Sequence, residues 1–330
     1  MQVSSDLLSA SSLEALKDTK NLLAFSAGVD SSALFFLLLD ANIPFDIAIV
    51  DYNLRAQSKE EVAYAKELAK YHDKVCYHDS VTLPDSNFEH QARQHRYAFF
   101  ETIIHDEGYD NLITAHQLND RLEWFLMQLG RGAGLVEMLG YEEISQRDGY
   151  RLVRPLIETD KASLQAYLNY HDKRYFIDES NLSDAYARNR MRKGFSEDFL
   201  KVHQEGVVKS FGYLQKDKTQ LFSLELAYHD KELTLLKRGM SDIRAIDHVL
   251  KKMGYLLSAA QKEEIQRQNS CVISDQIVIA FSQDFIFIAP FVTLPMDKKF
   301  KELCRTRGIP AKIRPYLLAE GISPSDLPRS

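Results

Sequence analysis

Residues 21–40 of the chain read NLLAFSAGVDSSALFFLLLD. The apolar run Leu22–Phe25 is short and strand-like, whereas Ser31–Asp40 has the length and apolar spacing of a helix. Between them lie small, hydroxylic and acidic residues, Ser26–Ser32. A polar loop between two apolar elements is either a tight turn or a binding site for a charged ligand.

The surrounding sequence alternates strand-like and helical segments up to about residue 156. The predicted strands are Leu22–Phe25, Asp46–Asp51, Lys74–His78 and Leu112–Ala115, and the predicted helices are Ser31–Asp40, Ser58–His72 and Phe88–Glu107. This alternation is typical of an α/β fold with a doubly wound, mainly parallel sheet. Ligands of such folds bind at the carboxyl ends of the strands, which is where the polar loop is expected.

The second half of the chain has a different pattern. Helices are predicted at Lys161–Tyr170, Ser196–Tyr228 and Asp242–Gln268, and short antiparallel strands at Cys271–Ser274, Gln276–Phe281 and Phe285–Ile288, before a basic stretch at Lys298–Arg314. We therefore predict a catalytic domain over 1–195, a mainly helical domain over 196–285, and a small basic α+β domain over 286–330.

Composition excludes several classes of protein. The 330 residues carry a net charge of −6, which argues against indiscriminate coating of nucleic acid but permits a basic face on an acidic body. No apolar run is long enough to cross a membrane. The three cysteines, Cys76, Cys271 and Cys304, form neither a CxxC pair nor a zinc motif. We expect a cytoplasmic protein with reduced thiols.

The polar loop has the residue types of a phosphate site. Gly28 is expected to supply a backbone conformation closed to other residues, and the first amides of the following helix favour an anion. The hydroxyls of Ser26, Ser31 and Ser32 suit phosphate oxygens, and Asp30 fits if Mg²⁺ bridges it to them. In the alternative, Ser26 or Asp30 simply caps the helix. Since GxxxxGK[ST] is absent, the loop is not of the kinase or GTPase type.

Several segments carry a resemblance to a known family. SAGVDSS is similar to the SGGxDS loop of the N-type ATP pyrophosphatases. Further matches narrow the resemblance to the tRNA(Ile)-lysidine synthetases: VDYNLRAQSKEE (50–61), EHQARQHRYAFF (89–100), TAHQLNDRLEWFLMQLGRGAG (114–134), RPLIE (154–158) and FIDESNLSDAYARNRMR (176–192). Their shared order along residues 20–195 makes coincidence a poor explanation. The tail at 298–317 resembles the C-terminal domain of longer members more loosely.

The resemblance implies an adenine nucleotide alpha hydrolase-like fold and an ATP-dependent ligase. The C2 carbonyl oxygen of the wobble cytidine, in an isoleucine tRNA with a CAU anticodon, would attack the α-phosphate of ATP and release pyrophosphate. The side-chain amine of L-lysine would then displace AMP and leave lysidine. The implied cofactors are ATP and Mg²⁺, no membrane is involved, and a homodimer is one open alternative for the oligomeric state.

The resemblance also implies roles for individual residues, since this chemistry needs mainly positioning and charge neutralisation. The implied ATP-binding residues are Ser26, Ala27, Gly28, Val29, Asp30, Ser31, Ser32, Asp51, Arg55 and Arg93. Asp30 would also hold Mg²⁺. The implied catalytic residues are Asp30, His116, Asp120, Glu123 and Arg188.

Some of these residues have simpler explanations. Asp120 and Glu123 follow His116 at helical spacing, so all three can face one cleft, where two carboxylates suit an ammonium group. Acidic residues also favour the first turn of any helix. Arg93 would otherwise be a solvated arginine, and Arg188 belongs to a basic run that is either a charged face or a binding site for RNA phosphates.

The sequence departs from the family pattern in three places. Ala27 replaces the first of two paired glycines and is expected to adopt an ordinary backbone conformation. Tyr52 stands where the family commonly has histidine. A cluster of further changes predicts a rearranged lysine site or helix packing: Gln117, Asn119, Arg121, Leu122 and Trp124.

Other functions remain open on sequence alone. A tRNA thiolase would need a nucleophilic or cluster-bound set of cysteines, which the spacing of the three cysteines does not favour. A glutamine-using synthetase would carry an amidotransferase domain, and none is evident. An RNA-binding protein with a decayed nucleotide site is the non-enzymatic alternative, and the presence of Asp30 and the loop serines argues against decay.

Overall fold

The computed structural model describes residues 7–54, 56–84, 87–177, 195–221 and 225–329. It divides the chain into two compact units, Met1–Leu214 and Gln215–Ser330. Each unit has its own sheet. None of the helices in the described ranges combines the length and the apolarity that a bilayer crossing requires.

The first unit is built on a six-stranded sheet in the order β3-β2-β1-β4-β6-β5. The strands are β1 (Asn21–Ala24), β2 (Asp46–Asp51), β3 (Cys76–Ser80), β4 (Asn111–Ile113), β5 (Ile144–Gln146) and β6 (Arg151–Val153). Every neighbouring pair is parallel except β5 and β6. The α/β fold with a mainly parallel sheet is confirmed, and the predicted strands agree with the observed ones to within two residues.

The described helices of this unit connect these strands, precede β1 or follow β6. They are α1 (Ala10–Leu16), α2 (Val29–Asp40), α3 (Ala56–Tyr71), α4 (Phe88–Glu107), α5 (Leu118–Leu129), α6 (Leu135–Met138), α7 (Lys161–Tyr170) and α8 (Glu197–Leu221). Helix α4 ends at Gly108, whose left-handed conformation (φ 69°) suits glycine. Helix α7 begins at Asp160, whose side chain accepts a hydrogen bond from the Ser163 amide.

Both faces of the parallel sheet are covered by apolar side chains. Alternate residues of a strand point to opposite faces, so Leu23 of β1 packs with α2, α3 and α7, and Leu22 packs with α4. Helix α2 is buried along most of its length, which explains its continuous apolar sequence. Because β1, β2, β4 and β6 are parallel, their carboxyl ends lie at one edge of the sheet, which we call the carboxyl edge.

The second unit contains an antiparallel sheet in the order β7-β8-β11-β10-β9. Its strands are β7 (Leu226–Asp230), β8 (Leu233–Lys237), β9 (Ser270–Ile273), β10 (Ile277–Phe281) and β11 (Phe285–Pro290), and its helices are α9 (Asp242–Lys252), α10 (Ala259–Arg267), α11 (Lys298–Thr306) and α12 (Arg314–Glu320). One face packs on α9 and α10 and the other on α11 and α12.

This unit differs from the sequence-based prediction in several ways. Strands on both sides of residue 285 share one sheet, so the described residues show no boundary there. Two strands of the region 196–285, β7 and β8, were not predicted, whereas β9 and β10 were. The segment predicted as one helix over 242–268 is two helices, because Gly254 is left-handed (φ 85°) and Ser258 caps the next helix. The helix predicted over 196–228 ends at Leu221, and β7 follows.

Candidate functional site

The polar loop joins the carboxyl end of β1 to α2, and its backbone differs from expectation. Ala27 is left-handed (φ 58°), a conformation that costs a residue with a side chain about 1–2 kcal/mol. Gly28 is in an ordinary extended conformation (φ −75°, ψ 174°). The expected roles were therefore wrong for both: the unusual conformation belongs to Ala27, and Gly28 caps the helix without side-chain help.

Hydrogen bonds among the serines hold the loop in shape. The Ser26 amide donates to Ser31 Oγ (3.1 Å), the two hydroxyl oxygens lie 3.1 Å apart, and Ser31 Oγ donates to the Gly28 carbonyl (3.3 Å). Ser32 Oγ is buried and has no partner among the described residues. A buried hydroxyl without a hydrogen-bond partner destabilises the fold unless a ligand supplies one. Of the loop serines, Ser32 is therefore the one whose hydroxyl can donate to a ligand oxygen without losing a bond within the protein.

Asp30 lies in the first turn of α2, where the helix dipole favours negative charge. No group of three or more His, Cys, Asp or Glu side chains that could hold a metal occurs in the part of the chain the structure describes. Mg²⁺ is usually held by one or two carboxylates together with substrate phosphates. A single carboxylate beside a helix start that favours an anion fits that ion, whereas the described residues offer no cage built from protein groups alone.

The first residue of the matched segment at 176–192 contacts the loop. The Phe176 amide donates to the Ala27 carbonyl (2.9 Å), and Phe176 forms a parallel bridge with Gly28. The guanidinium of Arg174 lies 4.8 Å from the Phe176 ring and 5.3 Å from that of Tyr64. Through these contacts α3 and the chain after α7 fix the backbone of the loop.

Asp51 ends β2 at the carboxyl edge, one strand away from the loop. Its buried carboxylate accepts a hydrogen bond from the Asn53 amide (2.7 Å). The next residue, Tyr52, donates its hydroxyl to the Ala92 carbonyl of α4 (3.0 Å), and burial raises the pKa of this phenol. Tyr52 therefore attaches the end of β2 to α4. Arg55 lies outside the described residues.

Helix α4 brings arginines toward the same edge. Arg93 is exposed, and its guanidinium lies 4.9 Å from the ring of Tyr97. Arg96 interacts with the Tyr52 hydroxyl. The two arginines therefore have different surroundings: Arg96 supports the end of β2, whereas Arg93 presents its charge to solvent.

His116 follows β4, the other neighbour of β1 in the sheet. Its Nδ1 lies 2.9 Å from Thr114 Oγ1, and its ring is 5.1 Å from that of Tyr141. Tyr141 also contacts Trp124 (5.6 Å), whose indole N–H donates to the Glu137 carbonyl (2.9 Å). The altered residue Trp124 thus packs beside His116 through Tyr141.

The other altered residues form the start of α5. Gln117 accepts a hydrogen bond from the Asn119 amide (2.5 Å), while Asp120 accepts one from the Gln117 amide (3.1 Å), which makes a capping box. Asn119 Oδ1 accepts from the Lys161 amide (3.1 Å). These changes preserve the helix start, and Asp120 has the structural role expected of an acidic residue in a first turn.

Glu123 is fully buried one turn further along α5. Its carboxylate accepts a hydrogen bond from Ser196 Oγ (3.3 Å), just before α8 begins. Arg121 lies on the same helix with its guanidinium 4.3 Å from the Phe211 ring of α8. Glu123 is therefore part of the packing between α5 and α8, and it does not face open solvent.

The structure places most of the predicted residues at one edge. The loop, Asp51 and His116 lie at the carboxyl ends of three adjacent strands, and Asp120 and Glu123 follow His116 on α5. Arg188 lies outside the described residues. The aromatic contact through Tyr141 was not predicted, because the sequence offers no signal for it. The segment RPLIE (154–158) contributed to the family resemblance, but no role was predicted for Arg154.

The surroundings of the three cysteines favour the protonated thiol over the reactive thiolate. Cys76 is half-buried in β3, and Cys271 and Cys304 are buried in the second unit. Burial raises the pKa of all three thiols, so the reactive thiolate is disfavoured in each case.

Comparisons with known proteins agree with this architecture. A family model described as PP-loop domain matches residues 3–198. A tRNA(Ile)-lysidine synthase of Wolinella succinogenes is 46% identical over 94% of this chain and 96% of that protein, and one of Campylobacter jejuni is 41% identical over 99% of each. A tRNA(Ile)-lysidine synthase of Helicobacter pylori is 43% identical over 93% of this chain and 92% of that protein.

Among solved structures, a U34-tRNA thiolase from Methanococcus maripaludis, determined with its [4Fe-4S] cluster, superposes with a TM-score of 0.51. The superposition covers 78% of this chain and 88% of the thiolase chain, and the two sequences are 15% identical. At this identity the likeness concerns the fold alone.

Proposed function

Because this chain belongs to the tRNA(Ile)-lysidine synthase family of PP-loop proteins, we propose that it joins L-lysine to the wobble cytidine of an isoleucine tRNA with a CAU anticodon. The chain is accordingly an ATP-using ligase that forms lysidine in tRNA. The observation that carries the proposal is the 46% identity to a protein of that name over 94% of the chain. The groups at the carboxyl edge support this proposal.

The first step is adenylation of the base. The C2 carbonyl oxygen of cytidine forms a bond to the α-phosphorus of ATP, and the bond from that phosphorus to the bridging oxygen breaks to release pyrophosphate. We assign the phosphates to the loop Ser26–Ser32, where the Ser32 hydroxyl awaits an acceptor and the first amides of α2 favour an anion. Asp51, at the end of β2, faces the nucleoside, and Arg55 and Arg93 neutralise phosphate charge.

Mg²⁺ would be held by the Asp30 carboxylate together with the phosphates. When bound, it would neutralise part of the negative charge that the departing pyrophosphate carries. The protein groups around it have separate tasks: the Ser26–Ser31 hydrogen bonds keep the loop in shape, and the Phe176–Ala27 hydrogen bond fixes its backbone.

The second step is attack by lysine. The neutral ε-amine forms a bond to C2, the bond from C2 to its oxygen breaks, AMP leaves with that oxygen, and the amine loses a proton. We propose that the carboxylates of Asp120 and Glu123 bind the α-ammonium group of lysine. We propose that His116 or one of these carboxylates accepts the proton that the ε-amine loses. A carboxylate has about four acceptor positions, so the capping bond of Asp120 leaves capacity for a ligand.

The rest of the chain is assigned to the RNA. We propose that residues 196–285 and the basic region 286–330 contact tRNA, together with Arg188. On α11 the side chains of Lys298, Lys299 and Lys301 are exposed, and lysines of this kind bind phosphates with little regard to base sequence. We place the reaction in the cytoplasm, and the homodimer remains a hypothesis for sedimentation experiments.

The experiment that tests the function supplies purified protein with ATP, Mg²⁺, labelled lysine and isoleucine tRNA carrying a CAU anticodon. We expect stable label on the tRNA that depends on ATP. Asp30→Ala is expected to abolish it, whereas Asp40→Asn is a matched control, because Asp40 lies at the opposite end of α2 and accepts a hydrogen bond from the Tyr167 hydroxyl.

Two results would contradict the proposal. Modification supported by a sulfur donor in place of lysine would indicate a thiolase, which the raised thiol pKa values already disfavour. Binding of the tRNA without any ATP-dependent product would indicate an RNA-binding protein with a decayed site.

A further inference from the structure

Arg154 is a buried arginine at the carboxyl edge. It directly follows β6, the neighbour of β4, and only 4% of its surface is exposed. Nη1 donates to the Glu142 carbonyl (2.5 Å) and lies 3.5 Å from Ser145 Oγ. Among the described residues, Nε has no acceptor although it is buried, and the hydrogen bonds of the guanidinium all come from Nη1.

Among the described residues, no carboxylate forms an ion pair with Arg154. Burial lowers the pKa of its guanidinium, and the positive charges of Arg147 and Arg93 lower it further, while the phenols of Tyr97 and Tyr141 act in the opposite direction. A buried cation without a counter-ion destabilises a fold. A ligand that carries negative charge would offset this cost.

Three arginines therefore concentrate positive charge at one place. Arg93 and Arg147 are exposed, and the positive charges of both act on the Arg154 guanidinium. The place adjoins the predicted site, because Tyr141 contacts both the Arg154 guanidinium (5.5 Å) and the His116 ring (5.1 Å). The edge of a guanidinium formed by Nε and Nη2 matches two oxygens of a phosphate.

We propose that Arg154 binds a phosphate oxyanion beside His116, with Arg93 and Arg147 on the exposed side of the same site. This inference deepens the proposed function and rests on it. The phosphate belongs either to ATP or to the tRNA backbone next to the modified cytidine. ATP and the tRNA backbone both present phosphate oxygens, and the binding of each ligand can be measured separately.

The test compares Arg154→Met, which removes the positive charge, with Arg154→Lys, which keeps the charge but lacks the paired N–H donors of the guanidinium. The control is Arg151→Met, three residues earlier at the other end of β6. The Arg151 guanidinium is already satisfied by Asn111 Oδ1 (2.8 Å) and the Ala15 carbonyl (2.9 Å). Binding of MgATP and of unmodified tRNA, and thermal unfolding, are measured for each protein.

We expect both Arg154 variants to bind one of the two ligands at least about tenfold more weakly, with little change in unfolding temperature. Loss confined to ATP identifies a nucleotide phosphate. Loss confined to tRNA, with a salt slope reduced by about one, identifies a backbone phosphate. Arg151→Met should show the reverse: lower unfolding temperature and unchanged affinities in the folded protein.

The proposal is overturned if neither affinity changes in either Arg154 variant. It is also overturned if Arg154→Met fails to fold while Arg154→Lys binds both ligands as the wild type does, because the arginine would then be structural. These binding measurements do not depend on turnover. A wild-type protein that binds ATP and tRNA but transfers no lysine would count against the proposed function and leave the Arg154 result interpretable.

Discussion

At the residue scale, Ala27 shows how a loop can tolerate an unfavourable backbone. It is left-handed and fully buried, and its carbonyl is held by the Phe176 amide. The sequence showed that a glycine of the family pattern was missing here. It could not show the backbone angle, because that angle is imposed by residues more than a hundred positions away in the chain.

Substitutions at Ala27 test this conformation. Ala27→Gly relieves about 1 kcal/mol of backbone strain, but it removes a buried methyl worth about 0.8 kcal/mol and adds about 0.4–1 kcal/mol of unfolded-state entropy. We therefore expect stability within about 1 kcal/mol of the wild type. Ala27→Val, whose branched side chain resists this conformation, should lose more than about 2 kcal/mol. Chemical denaturation measures both, and a Val variant as stable as the wild type would disprove the assignment.

Glu143 is a second residue that the sequence did not single out. Its carboxylate accepts hydrogen bonds from the hydroxyls of Ser9, Ser11 and Ser12 at the start of α1. Burial alone would raise the pKa of this carboxyl, but the bonds from the three serines outweigh it and hold the pKa below its ordinary value.

The lowered pKa predicts a pH dependence. A depressed folded-state pKa adds stability that is fully present above the unfolded-state value of about 4.5 and is lost as the pH falls through the lower folded-state value. Glu143→Gln should therefore be less stable than the wild type by about 1–3 kcal/mol at neutral pH, and the gap should close in acid. Glu14→Gln, an exposed position on α1, is the control. A gap that persists unchanged in acid would refute the explanation.

At the scale of elements, the start of α5 explains why this segment departs from the family pattern. Gln117 and Asp120 form the capping box, and Asn119 ties α5 to the start of α7. The sequence predicted His116 at a strand end and Asp120 on the following helix. It could not predict that the changed residues form a coherent cap, because capping depends on backbone geometry that only the fold defines.

Gly140 packs closely against Trp124. A β-carbon there would lie 2.6 Å from the indole nitrogen of Trp124, which is the only tryptophan of the chain. Gly140→Ala should displace the indole and break its hydrogen bond to the Glu137 carbonyl, with a loss of about 1–3 kcal/mol and a red-shifted emission. Thermal unfolding and fluorescence measure the two effects.

The matched control is Gly206→Ala in α8, where an added methyl meets nothing within 4 Å. An alanine in an exposed helix position is expected to stabilise the protein by about 0.5–1 kcal/mol and to leave the emission unchanged. Equal behaviour of the two variants would contradict the packing described around Trp124.

At the scale of the whole molecule, the chain forms two units with separate sheets and separate cores. The parallel sheet was predictable because its strands are short apolar runs separated by helices of ordinary length. The boundary expected near residue 285 was not found, because β10 and β11 pair across it. The amino-acid composition does not reveal whether strands on the two sides of residue 285 belong to one antiparallel sheet or to two neighbouring domains.

For the molecule as a whole, we propose that the loop after β1 holds ATP so that the base oxygen attacks the α-phosphate. This mechanism fixes the fate of one atom, since the C2 oxygen of the cytidine must leave with AMP. The most direct measurement uses tRNA with ¹⁸O at that position and analyses the nucleotide product by mass spectrometry. We predict AMP carrying one ¹⁸O for each lysidine formed. AMP without the label, or ADP and phosphate as products, would contradict the account.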